Sequence, residues 1–191
     1  MPYSMNSNIQ ELVKGCKKRH RLAQKYLYQR FYGKMLGICM RYTSHREEAT
    51  DVLNRAFLKV FQSISTYKNT GSFEGWLARI VFNTSIDYVR SRAKYREVMD
   101  FNIEKDQTIE AQIIEELYAK DLYTLIQSLP ENTRAVFSLY VVDGYKHREI
   151  AEILNISTNT SKWHLANGKK ILKQKIEKLG LKPAKQGIKI N

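Results

Sequence analysis

Apolar residues recur along this chain at steps of three and four, and no long segment alternates apolar with polar positions. That period belongs to the amphipathic α-helix, so the pattern predicts an all-α protein. A short helix is expected over residues 8–16. A long one follows over 19–42, with Leu22, Tyr26, Leu27, Phe31, Met35, Leu36 and Cys39 as its buried stripe. A third, over 46–65, carries Ala49, Val52, Leu53, Ala56, Phe57, Val60, Phe61 and Ile64 on one face. The run TYKNTGS breaks the pattern and reads as a loop. A fourth helix starts near Ser72, whose hydroxyl suits a helix N-terminus, and runs to about Lys94.

The composition then shifts. Between Met99 and Asp121 stand seven acidic residues against two basic ones. The first part of that stretch, MDFNIEKDQ, has no apolar stripe and reads as a linker. A second helical unit begins near Ile109, with Ile113, Ile114, Leu117, Leu122, Leu125 and Ile126 on its first helix. Leu129-Pro130 ends that helix, because proline lacks the N–H a helix needs. Ala135, Val136, Leu139 and Tyr140 mark the next helix, and Asp143-Gly144 supplies a turn. Two more helices follow, over 147–154 and 158–179. The expected architecture is two small helical domains, residues 8–95 and 111–180, joined by a flexible acidic linker at 96–110.

Length and charge narrow the partners. A chain of 191 residues, 43% hydrophobic, can bury a core in one ordinary domain or two small ones. A formal charge of +13 favours a polyanionic partner, either nucleic acid or an acidic membrane surface. Cys16 and Cys39 lie among apolar residues at helical spacing and read as core residues of a reducing, cytoplasmic compartment. MPYSMNSNIQ lacks the basic-then-apolar order of a signal peptide, and no stretch approaches the roughly 20 apolar residues of a membrane span. The helices are amphipathic toward a core, which argues against a membrane-surface protein. His147 and His164 have no partner at metal-ligand spacing, so no metal is expected, and nothing points to a cofactor.

Two constellations carry chemistry. In HREIAEILNISTNTSKWHLANGKKIL, Ile150, Ala151 and Leu154 form the inner face of a short helix. Asn155 stands where the chain reverses and tolerates a left-handed backbone. Ile156 plugs the core, and Ser157 or Thr158 caps a second helix whose inner face is Ser161, Leu165, Gly168 and Leu172. This is the layout of a helix-turn-helix. Thr160 stands in the first turn of the second helix, the turn that would enter a groove, and the outer face carries Lys162, Trp163, Ala166, Asn167 and Lys170. Those side chains suit base edges, thymine methyls and phosphates of a major groove. From Lys162 onward nine lysines face one glutamate. The same pattern also fits a plain helical hairpin with a solvated lysine face. In the fourth helix, WLARIVFNTSIDYVR sets Phe73, Trp76, Leu77, Ile80 and Val81 inward, and Arg79, Asn83, Asp87 and Arg90 along one polar face. Aromatics beside amides and cations can stack on unpaired bases and read their edges. A core tryptophan beside a solvated face fits as well.

Taken in order, EATDVLNRAFLKVF, GSFEGWLARIVFNTSIDYVR and LPENTRAVFSLYVVDGYKHREIAEILNISTNTSKWHLANGKKIL resemble regions 2.2, 2.3–2.4 and 4 of the extracytoplasmic-function (ECF) group of RNA polymerase sigma factors. The resemblance implies a non-enzymatic subunit that binds core RNA polymerase and directs promoter recognition. It implies that the helix bearing Asp51, Asn54, Phe57 and Val60 docks on the polymerase clamp. It assigns the melted minus-10 element to Lys68, Asn69, Phe73, Trp76, Arg79, Asn83 and Arg90. It assigns the minus-35 duplex to Thr160, Lys162, Trp163, Asn167 and Lys170. The acidic linker would thread the polymerase cleft, and an anti-sigma factor would hold the protein inactive. No small-molecule substrate is implied, and the protein is not itself in a membrane. The chain departs from the family at Asn54-Arg55, where Gln-Glu is usual, at Asn155 and Asn159, where glycine is usual, and at Asn167, where a basic residue is frequent.

A stand-alone helix-turn-helix regulator would account for the C-terminal lysines but leaves the first two segments without a role. An enzyme such as a recombinase would need organised partners around Ser85, Tyr88 or Asp87, and the sequence supplies none.

Overall fold

The computed structural model describes residues 3–68, 71–99 and 124–179. Its chain contacts divide into two units, Met1–Asp100 and Phe101–Asn191. Every regular element among the described residues is helical.

The first unit contains α1 (Ile9–Lys17), α2 (Arg21–Met40), α3 (Arg46–Ser63) and α4 (Phe73–Met99). Asn8 caps α1 in a reciprocal box: its side chain accepts from the Glu11 N–H at 2.8 Å, and Glu11 accepts from the Asn8 N–H at 3.1 Å. The expected helix over 19–42 is shorter, because Arg19 adopts a left-handed backbone (φ 57°) that ends α1 and turns the chain into α2. A single 3₁₀ turn, Ile64–Thr66, extends α3. The fourth helix runs past Lys94 to Met99, so residues 96–99 of the expected linker are helical. The remaining linker residues, 100–110, lie outside the described residues.

The core of this unit is one cluster that includes Leu12, Leu27, Phe31, Met35, Val52, Leu53, Phe57, Val60, Leu77 and Val81. Ala23, Ala49 and Ala56 are fully buried where α1, α2 and α3 approach. The stripes read from the sequence are those that pack, with Leu22, Tyr26, Trp76 and Ile80 half-buried at the margin.

In the second unit residues 124–127 are helical, followed by α5 (Glu131–Phe137), a π-helical turn (Ser138–Val142), α6 (His147–Leu154) and α7 (Thr158–Lys178). The expected residues Ile113, Ile114, Leu117 and Leu122 lie outside the described residues. Gly144 takes a left-handed conformation (φ 77°) at the predicted Asp143-Gly144 turn. Asn155 does the same between α6 and α7 (φ 55°), as its chemistry foretold. Ser157, not Thr158, is the N-cap of α7 and accepts from the Thr160 N–H at 2.9 Å.

Candidate nucleic-acid and polymerase interfaces

On α3 the buried and exposed faces are sharply divided. Phe57 and Val60 are 2% and 0% exposed and belong to the core. Both side chains pack in the core and fix the helix that carries the other residues expected to dock. Asp51 and Asn54 are exposed, together with Arg55, Leu58, Lys59 and Gln62. Leu58, at 59% exposure, was missed by the sequence reading. The signal was present, since Leu58 falls four positions from Asn54 and seven from Asp51, on the polar side of the stripe. Asn54 is held by Tyr28 of α2, whose hydroxyl donates to Asn54 Oδ1 at 2.8 Å. The Asn54 amide donors are thereby turned toward solvent.

The loop before α4 is built on three rings. Tyr67, Phe73 and Trp76 pack with centroids 5.2, 5.4 and 5.5 Å apart, and Phe31 of α2 meets Phe73 at 5.7 Å. The Tyr67 hydroxyl donates to Gly71 O at 2.5 Å, tying the start of the loop to its end. Lys17 of α1 donates to Tyr67 O at 2.9 Å. Phe73 is 5% exposed and forms the buried floor of the loop. Trp76 is half-buried and Lys68 exposed, while Asn69 lies outside the described residues.

Arg79, Asn83, Asp87 and Arg90 are exposed along α4 as the period required. Asn83 lines an open groove of ≈ 460 Å³ between α3 and α4, with Ile80 and Thr84 on its own helix and Lys59, Gln62 and Ser63 opposite. The sequence reading missed the α3 wall. Its residues are the outward neighbours of buried Val60 and are found only once α3 and α4 are paired. Lys59 and Asp87 close one side with an exposed ion pair of 3.1 Å. The groove thus presents two carboxamides, a cation paired to Asp87 and an apolar patch, while both hydroxyls donate to carbonyls of their own helices.

In the second unit, Ser161, Leu165, Gly168 and Leu172 form the buried face of α7. Gly168 lets the helices approach closely there, since a Cβ would stand 3.0 Å from Thr133 Cγ2 of α5. On the outer face Lys162, Lys170 and Trp163 are exposed, Trp163 at 60%, while Thr160 and Asn167 are half-buried. The histidines are structural. His147 Nδ1 lies 2.9 Å from the Ser161 hydroxyl, linking α6 to α7, and its ring stacks on Tyr140. His164 is half-buried, with Nδ1 3.0 Å from Thr133 Oγ1. Burial lowers the affinity of both imidazoles for a proton, and Lys162 and Lys169 lower that of His147 further.

Residues 27–95 match the family described as sigma-70 region 2, and residues 119–172 match sigma-70, region 4. The ECF RNA polymerase sigma-E factor of Haemophilus influenzae is 24% identical over 182 residues, 89% of this chain and 96% of that protein. The RNA polymerase sigma factor SigV of Bacillus subtilis is 29% identical over 144 residues, 74% of this chain and 83% of that protein. Among solved structures, the sigma factor RpoE of Bartonella quintana, in complex with the anti-sigma factor NepR, aligns with a TM-score of 0.47 and 19% identity. That alignment covers 80% of this chain and 96% of that one. No described helix is long and apolar enough to cross a membrane.

Proposed function

Because this chain belongs to the ECF group of RNA polymerase sigma factors, we propose a division of labour in which its first unit opens promoter DNA and its second reads the duplex. As a sigma factor it directs transcription initiation. It is a promoter-recognition subunit, not an enzyme.

The observation that carries the reading is the position of Asn83. It is exposed, lines the groove between α3 and α4, and lies seven residues, about 10 Å of helix, from Trp76. An unpaired strand laid along α4 meets Arg90, Asn83, Arg79 and Trp76 in turn. The amide reads a base edge, the indole stacks, and the guanidiniums neutralise phosphate. The loop with Lys68 and Asn69 borders the same strand. Core polymerase is engaged by the exposed side of α3, where Asp51, Asn54 and Leu58 offer a carboxylate, an oriented amide and an apolar knob. In the second unit α7 enters the major groove at minus-35, with Thr160 in its first turn and Lys162, Trp163, Asn167 and Lys170 outward. An anti-sigma factor completes the expected partners, as the resemblance implies.

Run-off transcription with cognate core polymerase on a pool of upstream genomic fragments tests the function. New discrete start sites that vanish with Asn83→Ala, while core binding persists, are expected. Tight duplex binding by the isolated protein with no initiation would favour the stand-alone regulator instead.

A further inference from the structure

Positive charge is unevenly spread over the first unit. The elbow between α1 and α2 exposes Lys14, Lys17, Lys18, Arg19, Arg21 and Lys25, and the twelve-residue stretch they span contains no acidic residue. Helix α3, by contrast, balances three basic residues with three acidic ones. Among the described residues none of the six elbow cations is in an ion pair. The nearest carboxylate in sequence, Glu11, is occupied as the reciprocal cap of Asn8.

Lys14 and Lys17 suit the negative C-terminal end of α1, but Arg21 at the start of α2 runs against local helix energetics. The N-terminal end of α2 carries a partial positive charge, and acidic residues are favoured there. Helix α2 has none in its first turn, begins with Arg21, and its N-cap His20 makes no side-chain capping bond. A rule broken at one point without local compensation marks a functional constraint. The elbow is also rigid. Arg19 and His20 N–H groups return to Cys16 O and Gly15 O at 2.9 and 3.0 Å, and the Tyr3 ring packs on His20 at 4.7 Å.

What covers such a surface follows from its neighbour. Along α4 the polar face leads from Arg90 through Asn83 and Arg79 to Trp76 and the loop. Lys17 of the elbow bonds the carbonyl of Tyr67 at the start of that loop. Lys17 therefore joins the elbow to the aromatic loop at which the α4 polar face ends.

We infer that the α1–α2 elbow binds the phosphates of the unpaired promoter strand where it leaves the loop downstream of the minus-10 element. The inference rests on the proposed engagement of melted DNA by α4. It adds a phosphate-binding surface that sets how far the open strand is held and how strongly salt weakens the complex.

The test uses holoenzyme and two fork templates, one whose unpaired non-template strand ends at the minus-10 element and one continuing about ten nucleotides further. Binding is measured across a salt series for wild type and for the Lys18→Gln/Arg21→Gln/Lys25→Gln variant. Each single-strand phosphate contact contributes about 0.7 to the log–log salt slope, so the variant should lower the slope on the long template by about 2. Its affinity for that template should fall by roughly tenfold or more at low salt. Binding to the short template and to core polymerase should match wild type, and thermal stability should be unchanged or higher. Equal slopes on the long template would overturn the inference, as would loss of core binding, which would mark the elbow as a protein contact. If wild-type holoenzyme bound neither template, or if Asn83→Ala had no effect on the short one, the underlying reading of α4 would fail first.

Discussion

In the first unit α3 buries Ala49, Val52, Leu53, Ala56, Phe57 and Val60, all apolar. In the second, seven-residue α5 buries Glu131, Thr133 and Arg134 alongside Ala135, Val136 and Phe137, and Ser138 and Ser161 are fully buried nearby. The difference follows from size. Helices of seven and eight residues offer little apolar surface, so a small domain closes with hydrogen bonds that must each find a partner. Arg134 donates to Gln127 O at 2.8 Å and Leu129 O at 3.3 Å, pinning the turn that leads into α5. The first unit is held by area and tolerates a polar groove on its surface. The second is held by a few directed bonds, and two of them, at His147 and His164, tie down the helix proposed to read DNA.

That contrast breaks most visibly at Arg134. Arg134→Ala strands the part-buried Gln127 and buried Leu129 carbonyls and removes a side chain only 2% exposed, and should cost the second unit about 4 kcal/mol. Calorimetry should show its transition displaced and that of the first unit in place; a loss under about 1 kcal/mol would contradict the assignment. Leu77→Ala is the counterpart in the apolar core. It should cost about 3 kcal/mol through lost burial and a cavity, confined to the first transition.

A finer comparison uses two helical glycines. A Cβ at Gly37 of α2 meets nothing within 4 Å, so Gly37→Ala should stabilise the first unit by about 0.5–1 kcal/mol. Gly168→Ala forces Thr133 aside, and chemical denaturation should show a loss of about 1 kcal/mol despite the better helix former.

The smallest effect separates the units by pH. His147 and His164 bind a proton less readily folded than unfolded, so their contribution is present above the unfolded imidazole pKa and is lost as pH falls through the lower folded value. Stability of the second unit should therefore decline below about pH 6.5. In the first unit burial raises the Glu48 carboxyl. Its bonds to the Ser44 N–H and Tyr88, with the Arg92 guanidinium at 2.6 Å, outweigh that and hold it below the usual carboxylate value. That contribution persists until pH falls below about 4.5. Melting curves at pH 7, 5.5 and 4 should show the second unit weakening first; the reverse order would contradict the roles given to the histidines.

The same contrast governs what the sequence could convey. Period alone located α3, α6 and α7 to within a residue or two, because each buries one continuous face. The period set Phe57, Val60 and Phe73 inward, while the resemblance assigned the same residues to contacts. A motif names a helix, while its faces are separated by the period and by packing against Tyr28, Phe31 and Tyr67. Leu58 shares a helix face with Asp51 and Asn54, so its place was legible from the period. The buried bonds of His164 and Arg134 join residues 31 and up to 7 positions apart, and no local pattern encodes the first of these. Turn chemistry was better conveyed, since Asn155 and Gly144 act through their own backbone.

The division of labour is tested most directly by mapping promoter opening with permanganate, which oxidises unpaired thymines, alongside footprinting of the minus-35 duplex. Holoenzymes carrying wild type, Asn83→Ala or Asn167→Ala would be compared on one promoter. Asn83→Ala should keep the minus-35 footprint and lose thymine reactivity around minus-10, whereas Asn167→Ala should weaken the footprint and opening together. Opening retained in Asn83→Ala, or a minus-35 footprint lost with it, would contradict the assignment of melting to the first unit.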